Sequence, residues 1–120
     1  MGEHNELGKK GEEIARKFLL KKGYKIIATN WRYKKEEIDI IAKHENKIIF
    51  VEVKTRTSSY FEAPEQAVTK KKQRFLINAA NEFIQSNNID TEGRFDIISV
   101  ICNSNAEEIN HIEDAFYPTV

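Results

Sequence analysis

The stretch that decides the fold runs Glu37-Ile-Asp-Ile-Ile-Ala-Lys43 and, after His44-Glu-Asn46, Lys47-Ile-Ile-Phe-Val-Glu-Val-Lys-Thr55. The second run is rich in Ile, Val and Phe, which predicts a strand. With a side-chain period of two, Ile48, Phe50, Glu52 and Lys54 share one face, and Ile49, Val51 and Val53 share the other. Both faces are apolar at the centre, as in a strand covered on both sides. The first run alternates and is expected to set Ile38, Ile40 and Ala42 on one side. A turn at His44-Glu45-Asn46 makes the pair antiparallel.

Three charges interrupt this apolar pattern: Asp39 between Ile38 and Ile40, and Glu52 and Lys54 continuing the Phe50 face. Ions in hydrophobic strands carry a high desolvation cost unless they pair or bind a metal. They can therefore be read as an ion-paired trio at a sheet edge, or as a site for a divalent metal. The oxygen ligands Asp39 and Glu52 suit Mg²⁺, which keeps waters and binds a phosphate directly. Such an ion activates a bound water for phosphodiester hydrolysis. Lys54 would orient that water or stabilise the attacked phosphate, and the backbone carbonyl of Val53 is a further candidate ligand.

Outward from this stretch, Leu7, Gly11, Ile14, Ala15, Phe18 and Leu19 recur at helical spacing before the stop signal Gly23. Glu12 lies about 100° round from Gly11, at the margin of the apolar face, where it can reach inward. Glu13 points away and can pair with Lys9 or Lys17. Tyr24 to Trp31 reads as a first strand. A loop with Ser58, Ser59 and Pro64 leads to a second helix, roughly Glu65 to Gln85, buried through Leu76, Ala79, Ala80 and Phe83. Arg94 to Cys102 is a strong strand, parallel to its predecessor if the helix forms a crossover. Glu107 to Ile112 is a final short strand. The order is αβββαβ(β), an α/β fold with a central mixed sheet flanked by helices, residues 1–120 forming one domain.

Bulk properties set outer bounds. The 120 residues are 40% hydrophobic and 32% charged, as in soluble globular proteins. No apolar run approaches the roughly 20 residues of a membrane span, and Met1 to Lys10 is too polar for a secretory signal. The one cysteine, Cys102, forms no internal disulfide, in keeping with a reducing cytoplasm. His4, His44 and His111 are scattered and read as bystanders. The net charge is zero, yet residues 1–81 hold 18 basic against 11 acidic side chains (+7) and residues 82–120 hold one against eight (−7). One basic and one acidic side are expected, and a basic side can meet phosphates.

Lys70, Lys71, Lys72 and Arg74 open the second helix just after Thr69, where cations oppose the helix dipole and a phosphate would relieve the conflict. Arg32 and Arg56 flank the acidic cluster as candidate phosphate contacts. Tyr24, Trp31, Tyr33, Tyr60 and Phe61 are candidates for base stacking, though aromatics at strand ends more often belong to a core.

An Asp followed by Glu-X-Lys on the next strand resembles the PD-(D/E)XK, or restriction-endonuclease-like, nuclease superfamily. The chain as a whole resembles the YraN family of small bacterial proteins within it. The likeness rests on Gly8-Lys-Lys-Gly-Glu12, Asn30-Trp-Arg32, Glu37-Ile-Asp-Ile-Ile-Ala42, Phe50-Val-Glu-Val-Lys-Thr-Arg56, Pro64 to Val68, Lys72-Gln-Arg74 and Arg94-Phe-Asp96. The resemblance implies Mg²⁺ or Mn²⁺ as cofactor and DNA as partner. Holliday-junction resolvases carry a helix-one Glu, an Asp and Glu-X-Lys, which fall here on Glu12, Asp39, Glu52 and Lys54. Lys72 and Arg74 gain weight as nucleic-acid contacts, and Gln66 would support the site from the second helix, although Lys70 stands where a tyrosine usually accompanies it. A homodimer is expected by analogy, since symmetric cuts need two sites.

The implied function is a metal-dependent endonuclease acting on DNA, branched or structured DNA among its candidate substrates. The alternative is a nucleic-acid-binding module that keeps the fold without efficient cleavage. Two departures favour the alternative: Glu36 and Glu62 stand where the family has glycines, losing φ > 0 freedom and adding negative charge.

Overall fold

Gly23 turns the chain out of its first helix. It takes φ 92°, and the Tyr24 N–H returns to the Leu19 carbonyl at 3.0 Å, closing the helix end. The structure, a computed structural model, describes residues 6–57 and 68–118. Their order is α1 (Glu6–Lys21), β1 (Lys25–Tyr33), β2 (Glu36–His44), β3 (Lys47–Arg56), α2 (Lys70–Ser86), β4 (Gly93–Cys102) and β5 (Glu107–Phe116). This is the expected αβββαβ(β) succession, with the last strand longer than expected.

The five strands form one mixed sheet in chain order, β1-β2-β3-β4-β5. The first three make an antiparallel meander, β3 and β4 are parallel, and β5 returns antiparallel to β4. Glu45 and Asn46, at φ 52° and 67°, make the two-residue turn between β2 and β3, the backbone that suits strand twist. The parallel pair is possible because α2 lies between β3 and β4 in the chain.

The alternation in β3 divides the core. Ile48 and Phe50 pack with Leu76, Ala79, Ala80 and Phe83 of α2, while Ile49, Val51 and Val53 pack with Ala15 and Leu19 of α1. The helices therefore cover opposite faces of the sheet. In β2 the expected pattern fails at one point: Ile40 and Ala42 join the α1 side, but Ile38 joins the α2 side. The break falls at Asp39.

The second helix runs from Lys70; of the expected start near Glu65, residues 65–67 lie outside the described residues. Thr69 is extended (φ −69°, ψ 163°), and its hydroxyl accepts the Lys72 N–H at 3.1 Å, capping the helix. Tyr24, Trp31 and Tyr33 serve the core: Tyr24 is buried and stacks on His44, Trp31 meets Phe83 edge-on at 5.2 Å, and Tyr33 packs on Phe75. Tyr60 and Phe61 lie outside the described residues. Because strand order follows chain order, the basic part of the chain supplies β1 to β3 and the acidic part β4 and β5. Charge thus changes sign across the sheet. No described helix is long and apolar enough to cross a membrane.

Candidate active site

The β2–β3 ladder runs from His44↔Lys47 to Ile40↔Val51 and stops there. Where the next rung would form, the Val53 N–H donates to Asp39 Oδ2 at 2.8 Å. A side chain has replaced a backbone acceptor, so the two strands part, and this is why Ile38 changes face. The parting lies toward the carboxyl end of β3, the end at which open α/β sheets place their sites.

Glu52 and Lys54 flank the gap. Glu52 is 6% exposed, and its Oε1 has no hydrogen-bond partner among the described residues. Its other oxygen lies 3.7 Å from Lys54 Nζ. Lys72 reaches in from α2, with Nζ 4.0 Å from Glu52 Oε1 and 3.0 Å from Glu36 Oε1. Burial raises the pKa of Asp39 well above the usual carboxylate range, and the neighbouring Glu52 charge adds to it, against the Val53 hydrogen bond. Burial also raises Glu52, and Lys72 and Lys54 only partly offset it. Burial disfavours the Lys72 charge, but Glu52 and Glu36 outweigh that, and its pKa ends above the ordinary value.

Glu12 approaches from the α1 side. Gly11, the residue before it, lets α1 lie directly on β3: a Cβ there would come within 2.7 Å of Thr55 Cγ2. Asn30 Nδ2 donates to Glu12 Oε1 at 3.1 Å, and Glu12 and Asp39 line one open cleft. Both carboxylates at the gap feel Glu12's negative charge. Glu12, Asp39, Glu52, Lys54 and the Val53 backbone are therefore brought together. Even so, no three His, Cys, Asp or Glu side chains among the described residues are close enough to enclose a metal by themselves.

The other candidates scatter. Lys72 belongs to the acidic gap, whereas Arg74 is exposed and lines a different cleft beside Phe116 and Tyr117. Two residues apart on a helix, they point in nearly opposite directions. Arg32 is 65% exposed and 3.6 Å from Glu37. Arg56 ends β3, half-buried. Gln66 and Glu62 lie outside the described residues. Glu36 opens β2 at an ordinary φ, and the left-handed backbone sits at Lys34 instead (φ 58°). No glycine is needed at Glu36, so the feared loss of φ > 0 freedom does not arise there.

One polar centre was not foreseen. Asp96 is 1% exposed on β4 and receives Arg94 Nε and Nη2 at 2.9 and 2.8 Å, His111 Nε2 at 2.7 Å and the Asp114 N–H at 3.0 Å. Burial alone would raise its pKa, but these donors win and lower it. Arg94 also donates to Tyr24 Oη, and Lys22 Nζ donates to His111 Nδ1. His111 is thus no bystander: it ties β5 to β4 and to the end of α1. The available signal was Arg94-Phe-Asp96, opposite charges two apart on one face of an apolar strand.

The sequence pattern described as "Uncharacterised protein family UPF0102" matches residues 11–100. The chain belongs to the UPF0102 family. This is the family anticipated above as YraN. The UPF0102 protein of Flavobacterium psychrophilum is 51% identical over 117 residues, covering 98% of each chain. That of Phocaeicola vulgatus is 45% identical over 120 residues, covering 100% of this chain and 99% of the relative. Among solved structures the chain is similar to Pyrococcus furiosus SfsA in complex with Ca²⁺, 17% identical over 89% of this chain and 62% of that one. With a TM-score of 0.33, that likeness carries no argument.

Proposed function

We propose that this UPF0102 protein is a divalent-metal-dependent endonuclease that hydrolyses phosphodiester bonds of DNA, with branched or otherwise structured DNA as its substrate class. The observation that carries the reading is the Asp39–Glu52 pair: a part-buried and a buried carboxylate side by side, each raised in pKa, with one buried Glu52 oxygen that no donor among the described residues reaches at hydrogen-bond distance. Leaving such an atom unsatisfied costs about 1–3 kcal/mol, more for a charged group. A cation at the gap removes that cost. Oxygen donors of this kind fit Mg²⁺ or Mn²⁺, which retain several waters and so need few protein ligands.

Asp39 and Glu52 would hold the ion. The Val53 carbonyl is a third donor, because a strand residue turns its N–H and C=O toward the same neighbour and the Val53 N–H faces Asp39. When bound, the ion would lower the pKa of a coordinated water and offset the charge on the attacked phosphate. Lys54, part-exposed beside Glu52, would orient the attacking water and donate to a phosphate oxygen. Glu12 closes the α1 side. Lys72 is engaged by Glu36 and Glu52, so its role belongs to the gap. Arg32, Arg56 and Arg74 would be the outer phosphate contacts of this reading; Gln66, expected to support the site, lies outside the described residues. A branched substrate cut symmetrically would take two copies of the chain.

A second reading has its own observation. Lys54 and Lys72 already partner Glu52, and Glu36 holds Lys72, so the gap is partly compensated without metal. That favours a nucleic-acid-binding module with little cleavage. Incubation with linear and junction DNAs in Mg²⁺ or Mn²⁺ separates the two. Cleavage that is abolished by chelator and by Glu52→Gln supports the nuclease. Salt-sensitive binding without cleavage supports the module, and neither binding nor cleavage overturns both.

A further inference from the structure

We infer that the cleft between α1 and the β1–β2 hairpin is a phosphodiester-binding subsite anchored by Arg16; this rests on the nuclease reading. The cleft, of about 460 Å³, is lined by Lys9, Glu12, Arg16, Asn30 and Asp39 among others. It is continuous with the metal site, since Asp39 and Glu12 belong to both. Arg16 stands one helical turn beyond Glu12, on the same side of α1.

Arg16 is half-buried, and among the described residues no hydrogen bond or ion pair engages it. A guanidinium has five N–H donors and no acceptor, and withdrawing it from water without a partner is unfavourable. Its planar fork matches two oxygens of a phosphate. The two other acids of the cleft are compensated elsewhere, Glu13 by Lys17 at 3.3 Å and Glu37 by Arg32 at 3.6 Å. Lys9 and Arg16 share the cleft with Glu12 and Asp39, and a divalent cation on the carboxylates would shift the local charge toward positive, which favours a polyanion. One phosphate would meet the metal and the next would meet Arg16. The subsite therefore takes a polynucleotide backbone rather than a single phosphate, and does so only when the metal is bound.

The test is fluorescence anisotropy of the whole chain with a short labelled duplex and a labelled junction, in Ca²⁺ and in chelator, over a series of salt concentrations. Ca²⁺ is used as an oxygen-seeking divalent ion of looser geometry. Arg16→Gln should weaken binding in Ca²⁺ about tenfold or more. It should also make the salt dependence shallower by about 0.9 in log–log slope, the loss of one phosphate contact. Lys25→Gln, which removes an exposed cation outside the cleft, should change neither, and in chelator wild type and Arg16→Gln should coincide. Equal affinity and slope for Arg16→Gln and a binding-competent wild type overturn the inference and leave the nuclease reading standing. A wild type that binds no DNA with or without Ca²⁺ overturns both.

Discussion

Replacing Gly11 with alanine sets two known effects against each other at the site's helix. In an open helix the change would stabilise, by about 1 kcal/mol. Here the new Cβ would meet Thr55 Cγ2 at 2.7 Å and Cβ at 2.8 Å, with the hydroxyl closer still. All three side-chain atoms of a β-branched residue are in the way, so no rotation clears them. Thr55 cannot retreat readily either, because β3 is paired there with Val100 of β4. Helix α1 must move instead, and overpacking of this kind costs about 1–3 kcal/mol. The net is a loss of up to about 2 kcal/mol, or up to roughly 8 °C in Tm for a chain of this size. Glu12 moves with the helix, so metal-dependent cleavage should fall more than stability does. Thr55→Ala in the same protein should restore only part of the loss, since its Cβ remains. Thermal denaturation reads this directly, and a Gly11→Ala protein melting above wild type, as an open helix would give, would refute the close contact and Glu12's placement with it.

Glu52→Gln and Lys54→Ala should each abolish cleavage while leaving a folded, cooperatively melting protein; retained activity in Lys54→Ala would remove it from the mechanism. Asp96→Asn should cost about 3 kcal/mol or more by stranding Arg94 in a buried site, and a urea midpoint close to wild type would show the cluster to be dispensable. The pH dependence has two signs. Asp39 and Glu52 hold protons more tightly when folded, so the metal-free protein should lose stability as pH rises from about 4 through their raised values. Asp96 is lowered, so its contribution is present above about 4 and is lost as pH falls through its depressed value. Melting in chelator across this range, for wild type and an Asp39→Asn/Glu52→Gln double variant, should show the first effect only in wild type; identical profiles would contradict it.

The faces of β3 were legible because a strand's period of two is rigid, and Glu52 and Lys54 fell on the predicted side. The face of Ile38 was not. It depends on Asp39 taking over a backbone hydrogen bond, which no hydropathy pattern records. The start of α2 at Lys70 was legible in Thr69, a good capping residue. Lys72 and Arg74 read as one basic patch; helical geometry separates them, so charge reversal at Lys72 would disturb Glu52 and only reversal at Arg74 is a clean probe of binding. Arg94 and Asp96 showed their pairing in the sequence, whereas His111 joins them across a strand pair and could not be found without the fold. Arg16 was unremarked because a single cation on a charged helix has no pattern, and only the cleft gives it meaning.

The central claim, that Asp39 and Glu52 hold a divalent cation, is tested without knowing the substrate by melting wild type and Asp39→Asn in Mn²⁺ and in chelator. At a metal concentration about 100 times Kd, linkage gives wild type about 2.7 kcal/mol, or roughly 10 °C at about 4 °C per kcal/mol. Asn can still accept the Val53 N–H but lacks the buried charge, so the variant should be at least as stable as wild type in chelator and gain little from Mn²⁺. A wild-type Tm indifferent to Mn²⁺, with Asp39→Asn less stable in both conditions, would contradict the account and mark the gap as an ion-paired cluster.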